Sequence, residues 1–272
     1  MNLNINSTYK LNNGVEIPVL GFGTWTLKGD GAINAIQWAL EEGYRLIDTA
    51  SMYNNENEVG TAIANSNISR EELFITTKVW DSEQGYEKTL NAFEQSLNKL
   101  KLEYLDLYLI HWPRDKFLDT WKAMEKLYEE EKIKAIGVSN FTIEHLNSLL
   151  SHSNIIPAVN QVEFHPFLYQ KELLGFCRKN KIILEAYSPL TKGKKLSNKT
   201  IRQVSEKYEK TPAQLLLRWL IEHKIIGIPR SNNKEHITDN ASIFDFSIEN
   251  EDIERLNNLN ENLRAVNDPI FK

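Results

Sequence analysis

The chain has 272 residues, 41% hydrophobic and 25% charged, with a net charge of −5 and no Lys/Arg block. That composition supplies a core and excludes a basic nucleic-acid-binding or membrane-binding surface, while a lone Cys177 excludes an intramolecular disulfide. The opening MNLNINSTYK has no apolar leader core, and no apolar run nears the roughly 20 residues of a membrane helix, so a cytoplasmic protein is expected.

Two short extended runs flank Asn12-Asn13-Gly14, a hairpin signal because Asn and Gly tolerate positive φ. Eight β-like runs follow: IPVLGFG (17–23), RLIDT (45–49), LFITTK (73–78), LDLYLIH (105–111), IKAIGVS (133–139), PAVNQVE (157–163), IILEAYS (182–188) and IIGIP (225–229). Between them lie helical patterns such as AINAIQWALEEG, GYEKTLNAFEQSLNKL and FLDTWKAMEKLYEEEK. In the last, Trp121, Met124, Leu127 and Tyr128 share one face. Thr211-Pro212 before AQLLLRWLIEH reads as an N-cap followed by proline at the first helical position. Alternating β and α units predict parallel strands, and eight of them predict one (β/α)₈ TIM-barrel domain over 1–272, with the hairpin closing its bottom. The competing doubly wound sheet lacks its Gly-rich fingerprint, because the stretch Gly21-Phe22-Gly23-Thr24-Trp25-Thr26 ends in Thr.

Four chemically active residues stand at or just beyond strand ends: Asp48, Tyr53, Lys78 and His111. In a barrel, all strand C-termini meet at one face, where active sites lie. Carbonyl reduction needs a proton donor for the oxygen as charge develops there. Tyr53 can donate if a cation favours its phenolate. Lys78 can be that cation, Asp48 can hold the ammonium, and His111 can position the carbonyl oxygen.

At these residues the chain resembles the aldo-keto reductase family. GYRLIDTASMY, IKAIGVSNF and IPRSNNKEHITDN match its signatures, and GFGTW, ITTKVW, LYLIHWP, VNQVEFHP and EAYSPL look like family segments, from about Lys10 to Asn260. The resemblance implies a barrel enzyme using NADPH, with NADH less preferred, and Tyr53 as general acid supported by Asp48, Lys78 and His111. It places Ser139, Asn140 and Gln161 on the nicotinamide carboxamide and Tyr187 on its ring. It places Ser188 and Leu190 on the pyrophosphate, Arg230, Ser231 and His236 at the adenosine 2′-phosphate, Thr24 beside the ribose and Asn240 near the adenine. The implied substrates are small aldehydes and ketones such as methylglyoxal, other α-dicarbonyls or keto sugars. Bacterial methylglyoxal and diketogluconate reductases are the nearest functional types.

Each residue also has a plainer reading. Alone, Asp48 could cap a helix, Lys78 could be a solvated strand-end lysine and His111 a packed turn. His145, His152, His165 and His223 read as structural or surface residues, and no spacing suggests a metal site. Trp25, Trp80 and Trp112, just past strand ends, are expected to wall the substrate pocket with Tyr53 and His111; Trp38, Trp121 and Trp219 are expected to pack helices on the barrel. His236 stands where the family usually has a second arginine, which softens the expected NADPH preference. Glu131 stands where it often has glycine, so that helix lacks its usual stop. Short loops after His111 and Tyr187, and a short tail after Asn260, imply an open pocket. Two other readings remain at this point. One is a nicotinamide-binding regulatory subunit, against which the short N-terminus counts, and the other is a barrel aldolase using Lys78 as a Schiff-base nucleophile. No protein partner is expected.

Overall fold

Gly14, at φ +92°, turns the chain between β1 (Thr8–Lys10) and β2 (Glu16–Pro18), which pair antiparallel with Thr8 opposite Pro18. The structure is a computed structural model that describes residues 3–266; the last part of the tail after Asn260 lies outside the described residues. The hairpin is tied to the lower rim, because the side-chain amides of Asn12 and Asn13 donate to the carbonyls of Pro157 (3.0 Å) and Lys134 (2.9 Å). Its Leu11 and Ile17 enter the barrel interior and pack with Leu46, Phe74, Leu107, Leu109 and Ile226. A hydrophobic plug therefore closes the bottom.

The expected strand 17–23 is two elements. Val19 N–H still donates to Ser7 in the hairpin, at 3.0 Å, so the barrel strand β3 is only Gly21–Gly23. Helix α1 (Gly29–Glu41), β4 (Leu46–Asp48), α2 (Glu56–Ala64) and β5 (Phe74–Val79) follow. Next come α3 (Tyr86–Leu100), β6 (Leu105–Ile110), α4 (Phe117–Glu129), β7 (Ile133–Ser139) and α5 (Ile143–His152). The chain continues through β8 (Val159–Glu163), α6 (Lys171–Lys179), β9 (Ile183–Tyr187), α7 (Lys199–Lys207) and α8 (Pro212–Glu222). It ends with β10 (Ile226–Gly227), α9 (Lys234–Ala241) and α10 (Asn250–Asn257).

Strands β3 to β10 pair in parallel, each with its sequence neighbour. Leu20 bridges Gly227, and Gly23 N–H donates to Pro229 at 3.0 Å, which closes the ring into a (β/α)₈ TIM barrel. Strands β5 and β6 are buried along their whole length, as parallel strands covered on both faces must be. Trp121 and Trp219 are fully buried under their helices and Trp38 is half-buried. Thr211 caps α8 as expected: its hydroxyl accepts from Gln214 N–H while the Gln214 side chain accepts from Thr211 N–H at 2.9 Å. No helix among the described residues is long and apolar enough to cross a membrane.

Helix α4 stops without a glycine. Glu131 adopts φ +58°, Glu131 N–H reaches Tyr128 and Lys132 N–H reaches Leu127, both at 3.0 Å, which satisfies the last carbonyls. Lys101, Lys181, Glu209 and Lys224 take the same left-handed conformation after α3, α6, α7 and α8. The usual glycine stop is missing, as expected; the hydrogen bonds hold the same turn without it, and the Glu131 backbone bears the strain. Glu131→Gly should raise unfolding free energy by about 0.5–1 kcal/mol in urea denaturation, part of the left-handed penalty being offset by a freer unfolded chain. Gly60→Ala should lower it by about 1–3 kcal/mol, because the new methyl would lie 2.4 Å from the Leu100 carbonyl oxygen. An unchanged midpoint in either variant would contradict this account.

Candidate active site

Parallel pairing puts Asp48 at the upper end of β4 and Lys78 near the upper end of β5, with Asp48 opposite Thr76. Side chains two apart on a strand share a face, so Lys78 and Thr76 both point inward. Lys78 is 0% exposed, and its ammonium donates to both Asp48 carboxylate oxygens at 2.7 Å and to the Thr49 carbonyl at 2.8 Å. Burial works to lower the Lys78 pKa, but the attraction of Asp48 overcomes it and leaves the group raised. Burial also pushes Asp48 up, against the Lys78 charge and hydrogen bonds from Lys78 and Gln161. Neither residue caps a helix or meets solvent. A charged, fully donated ammonium is the opposite of what a Schiff-base nucleophile requires.

The chain after β4 makes a short 3₁₀ turn, Ser51–Tyr53, that brings the Tyr53 phenol to 3.5 Å from the Lys78 Nζ. Several bonds hold this turn. Ser51 donates to Glu83 at 2.8 Å, Lys28 donates to the carbonyls of Tyr53 and Asn54, and Thr49 donates to Asn55 at 2.7 Å. Asn55 is fully buried and donates in turn to Thr24 and Leu27, which ties the loop after β3 to the loop after β4. Burial raises the Tyr53 pKa, opposed by the Lys78 charge, so the resting phenol keeps its proton. The expectation that Lys78 lowers this pKa holds only for its own contribution.

His111 follows β6 and faces Tyr53 edge-on, the ring centres 5.7 Å apart; Trp80 meets His111 in the same way at 5.0 Å. Burial, then the charges of Lys78 and Arg114, lowers the His111 pKa well below its ordinary value. Its ring is thus neutral at pH 7. Trp112 stacks beside His111 and is only 6% exposed, whereas Trp25 is 44% exposed with the Lys192 ammonium over its ring. Met52, also exposed, stands next to Tyr53 in sequence and was not singled out by the sequence.

A polar network joins the ends of β6, β7, β8 and β9. Asn140, at φ +64°, donates to the His111 carbonyl at 3.0 Å and to Ser139 at 3.1 Å, and accepts from Tyr187 at 2.8 Å. Ser139 donates to the Gln161 backbone at 2.9 Å. Ser188 also takes a positive φ, +49°. Non-glycine residues in this region cost energy and gather where side chains must be aimed. Gln161 donates to Asp48 at 2.8 Å and to Glu185 at 2.5 Å. Thr24 is fully buried, its hydroxyl donating to the Asp48 carbonyl at 2.9 Å. Glu185, buried in β9, is a member of this network that the sequence did not single out, because it sits inside an apolar run and not at its end.

Beside the barrel mouth lies a cavity of about 720 Å³, lined by Leu190, Arg230, Ser231, His236 and Asn240, and also by Arg202 and Lys210. Arg230 and His236 are exposed, and Asn233 caps the first turn of α9, accepting from His236 N–H at 3.2 Å. Arg202, on α7, and Lys210, in the link between α7 and α8, escaped sequence reasoning because that stretch reads as an ordinary amphipathic helix and its end. Ser188 is not among the lining residues. His145 and His165 have the structural partners Thr142 and Glu163, and His223 bonds Asn257. No cluster of three metal-ligating side chains occurs among the described residues.

The profile of the aldo/keto reductase family matches residues 19–261, and the chain belongs to that family. It is 50% identical over 271 residues to the glyoxal reductase of Bacillus subtilis, covering 99% of this chain and 98% of that protein. It is 41% identical to the methylglyoxal reductase DkgA of Escherichia coli, over 96% of each. The crystal structure of the Bombyx mori aldo-keto reductase in complex with NADP superposes with a TM-score of 0.91 at 36% identity, covering 97% of this chain and 96% of that one. The chain is an NAD(P)H-dependent oxidoreductase that acts on carbonyls.

Lys78→Met should cost about 3–5 kcal/mol in urea unfolding, the penalty for leaving a buried partner charge unpaired. Lys78→Met combined with Asp48→Asn should recover most of it. A single-variant loss under about 1 kcal/mol, the range of an exposed pair, would contradict the burial argument.

Proposed function

We propose that the enzyme reduces small aldehydes and ketones, α-dicarbonyls such as glyoxal and methylglyoxal among them, with NADPH as reductant and Tyr53 as proton donor. The observation that carries this reading is the Lys78 ammonium 3.5 Å from the Tyr53 hydroxyl, held charged by Asp48. The names of the Bacillus and Escherichia relatives support the substrate class.

The residues suit the cofactor. Arg202 and Arg230 bring guanidinium groups to the cavity, where Lys210 is paired with Asp245, and Glu206 and Asp239 supply the acids. The N-terminus of α9 lies beside it; the two guanidiniums and the helix end suit a phosphate. Asn240 and Leu190 line the same cavity, while Tyr187, half-buried at the end of β9, offers a ring for stacking. Bound NADPH supplies the hydride. The chain's own residues handle the proton. Tyr53 keeps it while the site rests, since burial disfavours the phenolate. As charge develops on the carbonyl oxygen, Tyr53 transfers the proton, and Lys78 stabilises the phenolate left behind. Neutral His111 donates a hydrogen bond to the same oxygen and fixes its position, and Trp25, Trp80 and Trp112 form apolar walls.

Tyr53→Phe should lower kcat for glyoxal by about 10²–10⁴-fold while NADPH binding, read by fluorescence, changes little. Turnover equal to wild type across a carbonyl panel would overturn the assignment. Tyr53→Phe and Lys78→Met should not multiply in a double variant, because they act as one unit. Arg230→Ala should raise KM for NADPH far more than for NADH; equal changes would remove Arg230 from the 2′-phosphate. Because the His111 pKa is held well below its ordinary value, no titration of kcat/KM is expected between about pH 6 and 7.

A further inference from the structure

Glu185 points into the barrel from β9 and is 0% exposed. Its Oε1 accepts from the Gln161 Nε2 at 2.5 Å, and its Oε2 is buried with no hydrogen-bond partner among the described residues. The same Gln161 nitrogen donates to Asp48 Oδ2 at 2.8 Å. An amide placed between two carboxyl groups has one orientation that satisfies both, with its NH₂ toward them. The Gln161 carbonyl oxygen is thereby turned away from both acids, as an acceptor.

Two carboxylates and one ammonium cannot all be charged cheaply in a dry interior, and the partnerless Oε2 is a natural seat for a proton. Burial first, and then the negative charge of Asp48, pushes the Glu185 carboxyl up to about 8, against Lys78 and the Gln161 hydrogen bond. The groups facing it are Asp48 from β4, Tyr53 from the turn after β4 and Lys78 from β5; its register partners on β8 and β10 are the uncharged Gln161 and Ile226. A negative Glu185 raises the pKa of both Tyr53 and Lys78.

We propose that Glu185 is a positioning residue of the reductive site: as a neutral carboxyl it fixes the Gln161 amide and leaves Asp48–Lys78 the sole ion pair beneath Tyr53, and its ionisation slows reduction. On losing its proton to solvent, Glu185 competes with Asp48 for the Lys78 charge. The phenol then releases its proton less readily. This rests on the reading in which Tyr53 donates the proton and Gln161 meets the nicotinamide carboxamide.

The direct test needs no turnover. Infrared difference spectra of the cofactor-free protein, between about pH 6 and 10, should show a protonated-carboxyl band that titrates near 8 and is missing in Glu185→Gln. In parallel, wild-type kcat/KM for glyoxal should fall about tenfold between pH 7 and 9, following the protonated fraction, while Glu185→Gln shows no such limb. NADPH should bind Glu185→Gln nearly as tightly as wild type and Glu185→Val about tenfold more weakly, since valine leaves the Gln161 NH₂ with one acceptor. Absence of the band above pH 6, an unchanged alkaline limb in Glu185→Gln, or wild-type affinity in Glu185→Val would each overturn the proposal. If Glu185→Gln fails to fold, the presence or absence of the wild-type band near pH 8 still decides. A titrating band in a protein that reduces no carbonyl would sink the Tyr53 reading alone, and an active enzyme without the band would sink the Glu185 proposal alone.

Discussion

A lysine ammonium buried in the barrel is the constraint around which the site is arranged. Removing such a charge from water costs several kcal/mol even after relaxation. Lys78 offsets this with both oxygens of Asp48 and the carbonyl of Thr49, so all three come from the last residue of β4 and the one that follows it. The pairing fixes where β4 must leave the sheet. Tyr53, only five residues on, is then confined to the space above the ammonium, and its turn is pinned by Glu83 and Lys28. A site built this way holds the Tyr53 hydroxyl and the Lys78 ammonium in place, while Trp25 and Met52 stand exposed at the rim.

The same low dielectric sets the protonation states of the neighbours. It drives His111 neutral, keeps the proton on Tyr53 and, with the Asp48 charge adding to it, raises the Glu185 pKa. These shifts are one effect felt by several groups. Each group resists becoming charged, and only the Asp48–Lys78 pair is compensated well enough to remain so. The network of Ser139, Asn140, Gln161 and Tyr187 spends most of its donors on protein acceptors, which fixes orientation before any ligand arrives.

The barrel was legible because eight apolar runs alternate with helical patterns, and parallel pairing follows from that alternation. Asp48, Lys78 and His111 were legible for a related reason: titratable side chains at the end of apolar runs, repeated on separate strands, are brought together by the topology. Other features were not legible. The run 17–23 divides because a hydrogen bond from Val19 to Ser7 extends the hairpin, a tertiary choice invisible in hydrophobicity. Glu131 ends α4 in a left-handed turn because the next strand must start there, whatever residue occupies the turn. Arg202, on α7, and Lys210, between α7 and α8, reach the cavity only through the packing of that stretch beside the barrel mouth. Burial of Tyr53 opposes Lys78, and only the three-dimensional surroundings reveal which effect wins.

The account stands on Lys78 being charged where no solvent reaches it. Nitrogen-15 NMR of the Lys78 side chain measures that state directly, with Lys78→Met assigning the signal. The raised pKa predicts an ammonium resonance that persists to about pH 10 and shifts when Asp48→Asn removes the partner charge. A neutral amine at pH 8, or a signal indifferent to Asp48, would contradict the account.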